Sequence, residues 1–359
     1  MRKSASILAT AAIIASGLFG VPAAQAVDNT ITAGGSSFAG GIITACATNY
    51  VGKPGATGVV NYDSSAGSSS GKSRFVSGLY DFGATDFAFT GAGGDVAPAG
   101  TKYVAVTSGP IAIAYNLKVN NVAVTGLRIT PQLLAKIFKG TITKWNNSEV
   151  LAVQTTAVKA KLNALSNKDI NPVYRTAGSG TSYNFSGYLK ATTSNFEISS
   201  DWSIATGGAA GTSAGSSSLM KSAVDNNANS IGYLDLKDAS GMVNGQIAFL
   251  RNQNNQYYQP TVIRTSAFLK AHASSDINSD GSFDLHWNKV VDGGYNASLI
   301  TYAVVKTTGA STGTKGANLR NFLKYVLYTC GPSISAAKGY TFIADPLRAK
   351  GYDFVKLIK

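Results

Sequence analysis

Residues 170–190 read INPVYRTAGSGTSYNFSGYLK. Ile170 to Tyr174 has the composition of a short strand. Arg175 follows it, then the loop Gly178-Ser179-Gly180-Thr181, and Ser182 to Lys190 is expected to be helical. A strand that runs through a glycine–serine turn into a helix is a unit of α/β architecture, and its repetition predicts a parallel sheet. The unit recurs upstream. Thr30 to Ala33 reads as a strand, Gly34 to Phe38 as its turn, and the stretch to Tyr50 as a weakly apolar helix. Gly58 to Tyr62 is a second strand, with a Ser/Gly loop from Ser64 to Gly71 and a helix expected over Lys72 to Leu79. Tyr80 to Ala84 is a third strand, ending at Thr85-Asp86.

Further out, Val104 to Tyr115 is the longest unbroken apolar strand, suited to full burial or to a crossover between domains. Thr130-Pro131-Gln132 opens a well-marked helix. Thr130 is the cap, Pro131 sits in the first turn, Leu133, Leu134, Ile137 and Phe138 form the apolar face, and Gly140 ends it. Residues 207–217 read as a loop, Ser218 to Asn226 as a helix and Ser230 to Leu234 as a strand. Strand and helix return at Leu299 to Lys306 and Asn318 to Leu327.

The N-terminus has the form of a secretory signal: Arg2 and Lys3, an apolar run from Ala5 to Phe19, and the small-x-small site Ala24-Gln25-Ala26. Processing of residues 1–26 would leave 333 of the 359 residues, enough for two domains. The signal holds two of the 31 basic residues and none of the 18 acidic ones, which leaves the processed chain at +11. That balance favours anionic partners. The lysines are scattered, with no arginine-rich run, so no nucleic-acid partner is expected. Cys46 and Cys330, in an exported chain, can pair only if both chain ends build one domain.

Three junctions share one design: Ser36-Ser37, Ser68-Ser69 and Ser179-Gly180-Thr181 each follow a strand and open a helix. The first helical turn presents unpaired N–H groups and a partial positive charge, hydroxyls add donors, and glycine admits close approach of an anion. Taken singly, each is better read as an ordinary helix cap. Converging with Arg175, whose planar fork suits phosphate or sulfate, they would form a desolvated oxyanion cage. Asp86 then acts as a discriminator: a carboxylate accepts from an oxyanion that keeps a proton and repels one that does not. Its other reading is a cap or an ion-pair partner.

Two further features carry less. Asp276 to Asp284 places oxygens like the start of a calcium loop, but the twelfth position is Trp287, so a turn with solvated aspartates is expected and no metal. His272 and His286 are the only histidines and lie near no Cys or Glu pair, so neither a zinc site nor catalytic machinery is expected.

Five ordered stretches, ITAGGSSF (31–38), VNY with its Ser/Gly loop (60–71), YDFGATD (80–86), LAKIFKGTITKWN (134–146) and YRTAGSGTSYNF (174–185), resemble successive motifs of the phosphate-binding component of high-affinity phosphate ABC transporters. The resemblance implies an α/β, two-lobe periplasmic-binding-protein fold of type II with two crossover hinge strands. It also implies a cleft that dehydrates inorganic phosphate, without cofactor, for delivery to a membrane-embedded ABC permease. Ser37 and Phe38 match the family's first ligand loop, Ser68 the second (with Ser69 as a one-residue shift), and Asp86 the proton-accepting carboxylate. Arg175, Ser179, Gly180 and Thr181 match the contacts of the second lobe. One position departs. Many members carry Asp two residues after the arginine, and this chain has Ala177; either an acid distant in sequence takes over or Arg175 is more mobile when free, and the second is expected.

The expected organisation is a signal peptide at 1–26, a discontinuous first lobe of 27–112 and 301–359, and a second lobe of 113–300. The expected protein is an exported monomer of the periplasm or cell surface that binds without turnover. Its rivals are a binder of another oxyanion or surface polyanion, a secreted phosphatase or other hydrolase, and a cell-surface protein with a vestigial cleft.

Overall fold

A computed structural model of the chain describes residues 29–176, 178–193, 196–208, 211–307 and 313–359. The expected signal peptide and Ala177 lie outside the described residues.

Nine strands form one sheet: β1 (Ile31–Gly35), β2 (Val60–Asp63), β3 (Phe82–Thr85), β4 (Thr101–Asn116), β5 (Asn171–Arg175), β6 (Thr212–Ala214), β7 (Ser230–Asp235), β8 (Gln246–Ile247) and β9 (Ser298–Lys306). Their spatial order is β2-β1-β3-β9-β4-β7-β5-β6, with β8 also pairing with β4. At one end β1 lies parallel to β2 and β3, and at the other β5 lies parallel to β7 and β6. The expected parallel rhythm therefore holds in two separate blocks. Between them β9 and β4 run antiparallel to their neighbours, so the sheet as a whole is mixed.

The 16-residue β4 joins the blocks. Thr101 to Pro110 pairs with β9, and Ile111 to Asn116 pairs with β7. Its residues are buried except Lys102, in keeping with a strand covered on both faces.

Helices follow the strands: α1 (Gly40–Tyr50), α2 (Gly67–Val76), α3 (Pro131–Phe138), α4 (Gly180–Thr193), α5 (Ser217–Asn226), α6 (Gly313–Tyr325) and α7 (Leu347–Val355). Helix α3 matches its sequence signature: the Thr130 side chain accepts from the Leu133 N–H, and Leu133, Leu134, Ile137 and Phe138 are buried. Helix α2 corrects the sequence expectation. It begins at Gly67 and ends at Val76, so Ser68 to Gly71 are its first turns rather than loop. Low helix propensity hid this, and packing of the buried Ser68, Gly71, Lys72 and Phe75 overrides it. The 207–217 stretch likewise yields a short strand, β6.

Cys46 on α1 and Cys330 form a disulfide across 284 residues of sequence, both cysteines being buried. Beneath α4 lies an aromatic cluster. Phe185 stacks on Trp202 at 5.7 Å and meets Tyr233 at 4.6 Å, and Phe138 meets Trp202 edge-on at 5.3 Å. Such pairs add ~0.5–1.5 kcal/mol each beyond burial, and this cluster fixes the floor under Arg175. Among the described residues no helix is long and apolar enough to cross a membrane.

Candidate functional site

β1 ends at Gly35, whose φ is +131° and where a Cβ would lie 2.1 Å from the Ala84 carbonyl oxygen. Only glycine lets the chain pass there. The Ser36 N–H then donates to that carbonyl at 2.8 Å, which turns the chain so that Ser36 and Ser37 point to different partners. Ser36, fully buried, donates from Oγ to Asp86 Oδ1 at 2.5 Å. Ser37 Oγ accepts from Arg175 at 3.0 Å and lies 3.1 Å from Ser217 Oγ. Phe38 is buried, its carbonyl accepts from the Tyr340 hydroxyl at 2.8 Å, and its N–H has no hydrogen-bond partner among the described residues.

Asp86 follows β3 directly and is 3 % exposed. Besides Ser36, Thr301 Oγ1 donates to Oδ1 at 2.6 Å and Ser68 Oγ donates to Oδ2 at 3.2 Å. The Asp86 N–H donates to Ser68 Oγ at 3.1 Å. Burial pushes the carboxyl pKa up. The hydroxyls of Ser36, Thr301 and Ser68 and the charge of Arg175 pull against that push without cancelling it. Of the two serines opening α2, Ser68 reaches the carboxylate, while the Ser69 N–H donates to the Gly178 carbonyl at 3.1 Å.

Arg175 ends β5, also 3 % exposed. Its backbone N–H donates to the Tyr233 hydroxyl at 3.0 Å, which ties it to the aromatic cluster. Nε donates to the Ala214 carbonyl at 3.3 Å and an Nη to the Gly215 carbonyl at 3.0 Å. Two backbone carbonyls and the Ser37 hydroxyl contact the guanidinium in this arrangement. Among the described residues it has no ion-pair partner within 4.0 Å, Asp86 included. Burial lowers its pKa, against the pull of Tyr233, Asp86 and Asp235.

Gly180 opens α4 opposite Asp86. A Cβ there would lie 2.2 Å from Ser68 Oγ and 2.5 Å from Asp86 Oδ2, so glycine is what permits this approach. Ser179 Oγ accepts from the Ser182 N–H at 3.2 Å, which is the cap reading of that hydroxyl. Thr181 is buried and clusters with Arg175, Ser217, Tyr233 and Asp235.

Of the eight residues singled out from the sequence, Ser37, Ser68, Asp86, Arg175, Gly180 and Thr181 are linked around one locus, and Phe38 and Ser179 adjoin it in the chain. Three that the sequence reading missed join them. Thr301 sits on β9, Asn184 Nδ2 donates to the Asp86 carbonyl at 2.6 Å, and Ser217 opens α5. Asn184 stood inside a quoted motif. Thr301 and Ser217 carry no local signal.

Among the described residues the locus holds hydroxyls, the Arg175 guanidinium and the Asp86 carboxylate, with the buried Asp235 beside the arginine, a set suited to binding an anion that brings a proton. His272 and His286 engage each other, with the His286 N–H donating to the His272 Nε2 at 3.0 Å. The aspartates of 276–284 accept turn hydrogen bonds from Ala273, Ser282 and Asn278, as a solvated turn requires.

A domain model of the PBP superfamily matches residues 20–328. The chain belongs to the PBP superfamily. It is 30 % identical over 249 residues to the phosphate-binding protein PstS of Haemophilus influenzae, covering 67 % of this chain and 67 % of that one. Against the phosphate-binding protein PstS of Xylella fastidiosa it is 29 % identical over 262 residues, 71 % of this chain and 65 % of the relative's length. Among solved structures, the phosphate-binding protein of Stenotrophomonas maltophilia superimposes with a TM-score of 0.64 at 16 % identity, over 90 % of this chain and 93 % of that one. The similarity to solved structures confirms the expected fold, and the PstS relatives bear out the resemblance read from the five motifs. These relatives are named as binding proteins.

Proposed function

We propose that this PBP-superfamily chain captures inorganic phosphate in a cleft between two lobes and hands it to a membrane-embedded ABC permease, outside the cytoplasm and without turnover. One observation carries the reading: a buried arginine and a buried carboxylate face one locus, each held by neutral groups, amid helix N-termini. The lobes are 27–112 with 301–359, and 113–300. The change of partner along β4 between Pro110 and Ile111 supports that division.

In the mechanism, Ser37, Phe38 and the Ser68 backbone N–H of the first lobe and Arg175, Ser179, Gly180 and Thr181 of the second supply donors to the phosphate oxygens. Asp86 accepts the ligand's proton. Binding across the cleft links the lobes, and fixed N–H and O–H dipoles replace the ligand's hydration shell. The closed monomer is the form a permease would recognise. Calorimetric titration with phosphate, arsenate and sulfate in phosphate-stripped buffer tests this. Saturable binding of phosphate and arsenate with exclusion of sulfate is expected. Sulfate binding equal to phosphate would point to a general oxyanion binder, and hydrolysis of a chromogenic phosphate ester to an enzyme.

A further inference from the structure

Ser36 and Thr301 have no place among the ligand contacts just proposed, yet both reach the same oxygen of Asp86, at 2.5 and 2.6 Å. Both are fully buried. Their directions are constrained. Ser36 Oγ accepts from the Ala39 N–H at 3.1 Å, which leaves its own hydrogen for Asp86. Ser68 Oγ accepts from the Asp86 N–H at 3.1 Å, so its hydrogen goes to Oδ2. Thr301 donates from β9, across 215 residues of sequence. Three hydroxyls thus present hydrogens to one carboxylate, which favours its ionised form and uses Oδ1 fully.

We propose that Ser36 and Thr301 are positioning residues that hold Asp86 as a bare acceptor, and so set the site's choice of a proton-bearing oxyanion over a fully ionised one. This rests on the phosphate-binding reading and deepens it. An ionised Asp86 can meet an oxyanion oxygen only through a proton that the ligand brings. A protonated Asp86 would donate instead, and would then accept sulfate as readily. The other groups that act on Asp86 are the guanidinium of Arg175, which favours ionisation, and the hydroxyls of Tyr62 and Tyr340, whose own ionisation the carboxylate opposes. Burial works toward protonation, so removing one hydroxyl moves Asp86 toward the donor form.

Thr301→Val keeps the shape and removes the hydroxyl; Ser36→Ala makes the same test from the other side. Each is compared with wild type and with Thr301→Ser, which restores the donor. Phosphate binding is titrated with and without sulfate from about pH 5.5 to about pH 8, melting temperature being followed in parallel. Sulfate should compete in both hydroxyl-less variants at the acid end, about tenfold better than at the alkaline end, a factor that corresponds to one pKa unit. Thr301→Ser should exclude sulfate as wild type does. Equal exclusion of sulfate in all four proteins at every pH overturns the proposal. So does a pH-independent loss of phosphate binding with no sulfate competition in either variant, the mark of a purely structural role. Failure of wild type to bind phosphate at all would remove the parent reading, and is seen before any variant is made.

Discussion

Asp86 and Arg175 carry opposite charges at equal burial, and they are solvated by opposite means. The carboxylate, just after β3, is surrounded by hydroxyl hydrogens from Ser36, Ser68 and Thr301. The guanidinium, at the end of β5, is held by the carbonyls of Ala214 and Gly215 and by Ser37. Neither has an ion-pair partner within 4.0 Å among the described residues. Lys72 shows the alternative. It is equally buried, but pairs with Asp95 at 2.6 Å and lies over the Phe87 ring at 3.5 Å. A charge matched by an ion is spent inside the fold; a charge held by dipoles remains free to act on a ligand. The difference separates a structural ion pair from the proposed binding site.

Four experiments would break or sharpen this contrast. The largest effect is expected from Arg175→Ala. Removing one partner of a buried charge interaction costs ~3–5 kcal/mol, so phosphate affinity measured by calorimetry should fall by more than about a hundredfold, with the circular-dichroism spectrum unchanged. Binding within about tenfold of wild type would take Arg175 out of the site.

Gly180→Ala comes next. Its methyl would sit 2.2 Å from Ser68 Oγ, so the two ends of the site could not approach. Affinity should drop by about ten- to a hundredfold, at ~1.4 kcal/mol per decade. Small-angle scattering should show the radius of gyration no longer contracting with phosphate. Normal contraction would mean that the contact between the halves is not needed for closure.

Asp86→Asn should change phosphate affinity less and selectivity more, with sulfate competition appearing at neutral pH. It also has a stability signature. The folded pKa of Asp86 is raised by burial, so its ionised form costs stability, and that cost disappears as pH falls below the folded value and toward the unfolded one. Asp86→Asn should therefore melt higher than wild type at neutral pH, with the gain shrinking in acid. A gain that is constant with pH would show that the carboxylate is not the strained element.

The smallest effect on the site should come from the disulfide. Replacing Cys46 and Cys330 by alanine removes a link that spans 284 residues and should cost ~2–5 kcal/mol of stability in denaturant titration. Phosphate affinity should stay within about twofold, since neither cysteine contacts the locus. A large loss of affinity would tie the site to the α1 packing as well as to its own dipoles.

The chain by itself determined the unit from which the fold is built and the charged ends of the site. Strand propensity followed by glycine and serine and then helix marks β1, β3 and β5 with their junctions, because turn and cap chemistry is local. Arg175 and Asp86 stand at strand ends, where side chains leave the sheet, and were legible for that reason. The missed start of α2 was also local, but a Ser/Gly-rich helix is stabilised by what it packs against.

What holds the two charges was decided by tertiary structure alone. Thr301 reaches Asp86 across 215 residues and Ser217 reaches Ser37 across 180, and no spacing rule connects such pairs. The carbonyls of Ala214 and Gly215 have no side-chain signature at all. They accept from Arg175, and only the path of β6 beside β5 brings them there. Local physics places a charge at the end of a strand; whether it stays available depends on neighbours that the sheet order supplies.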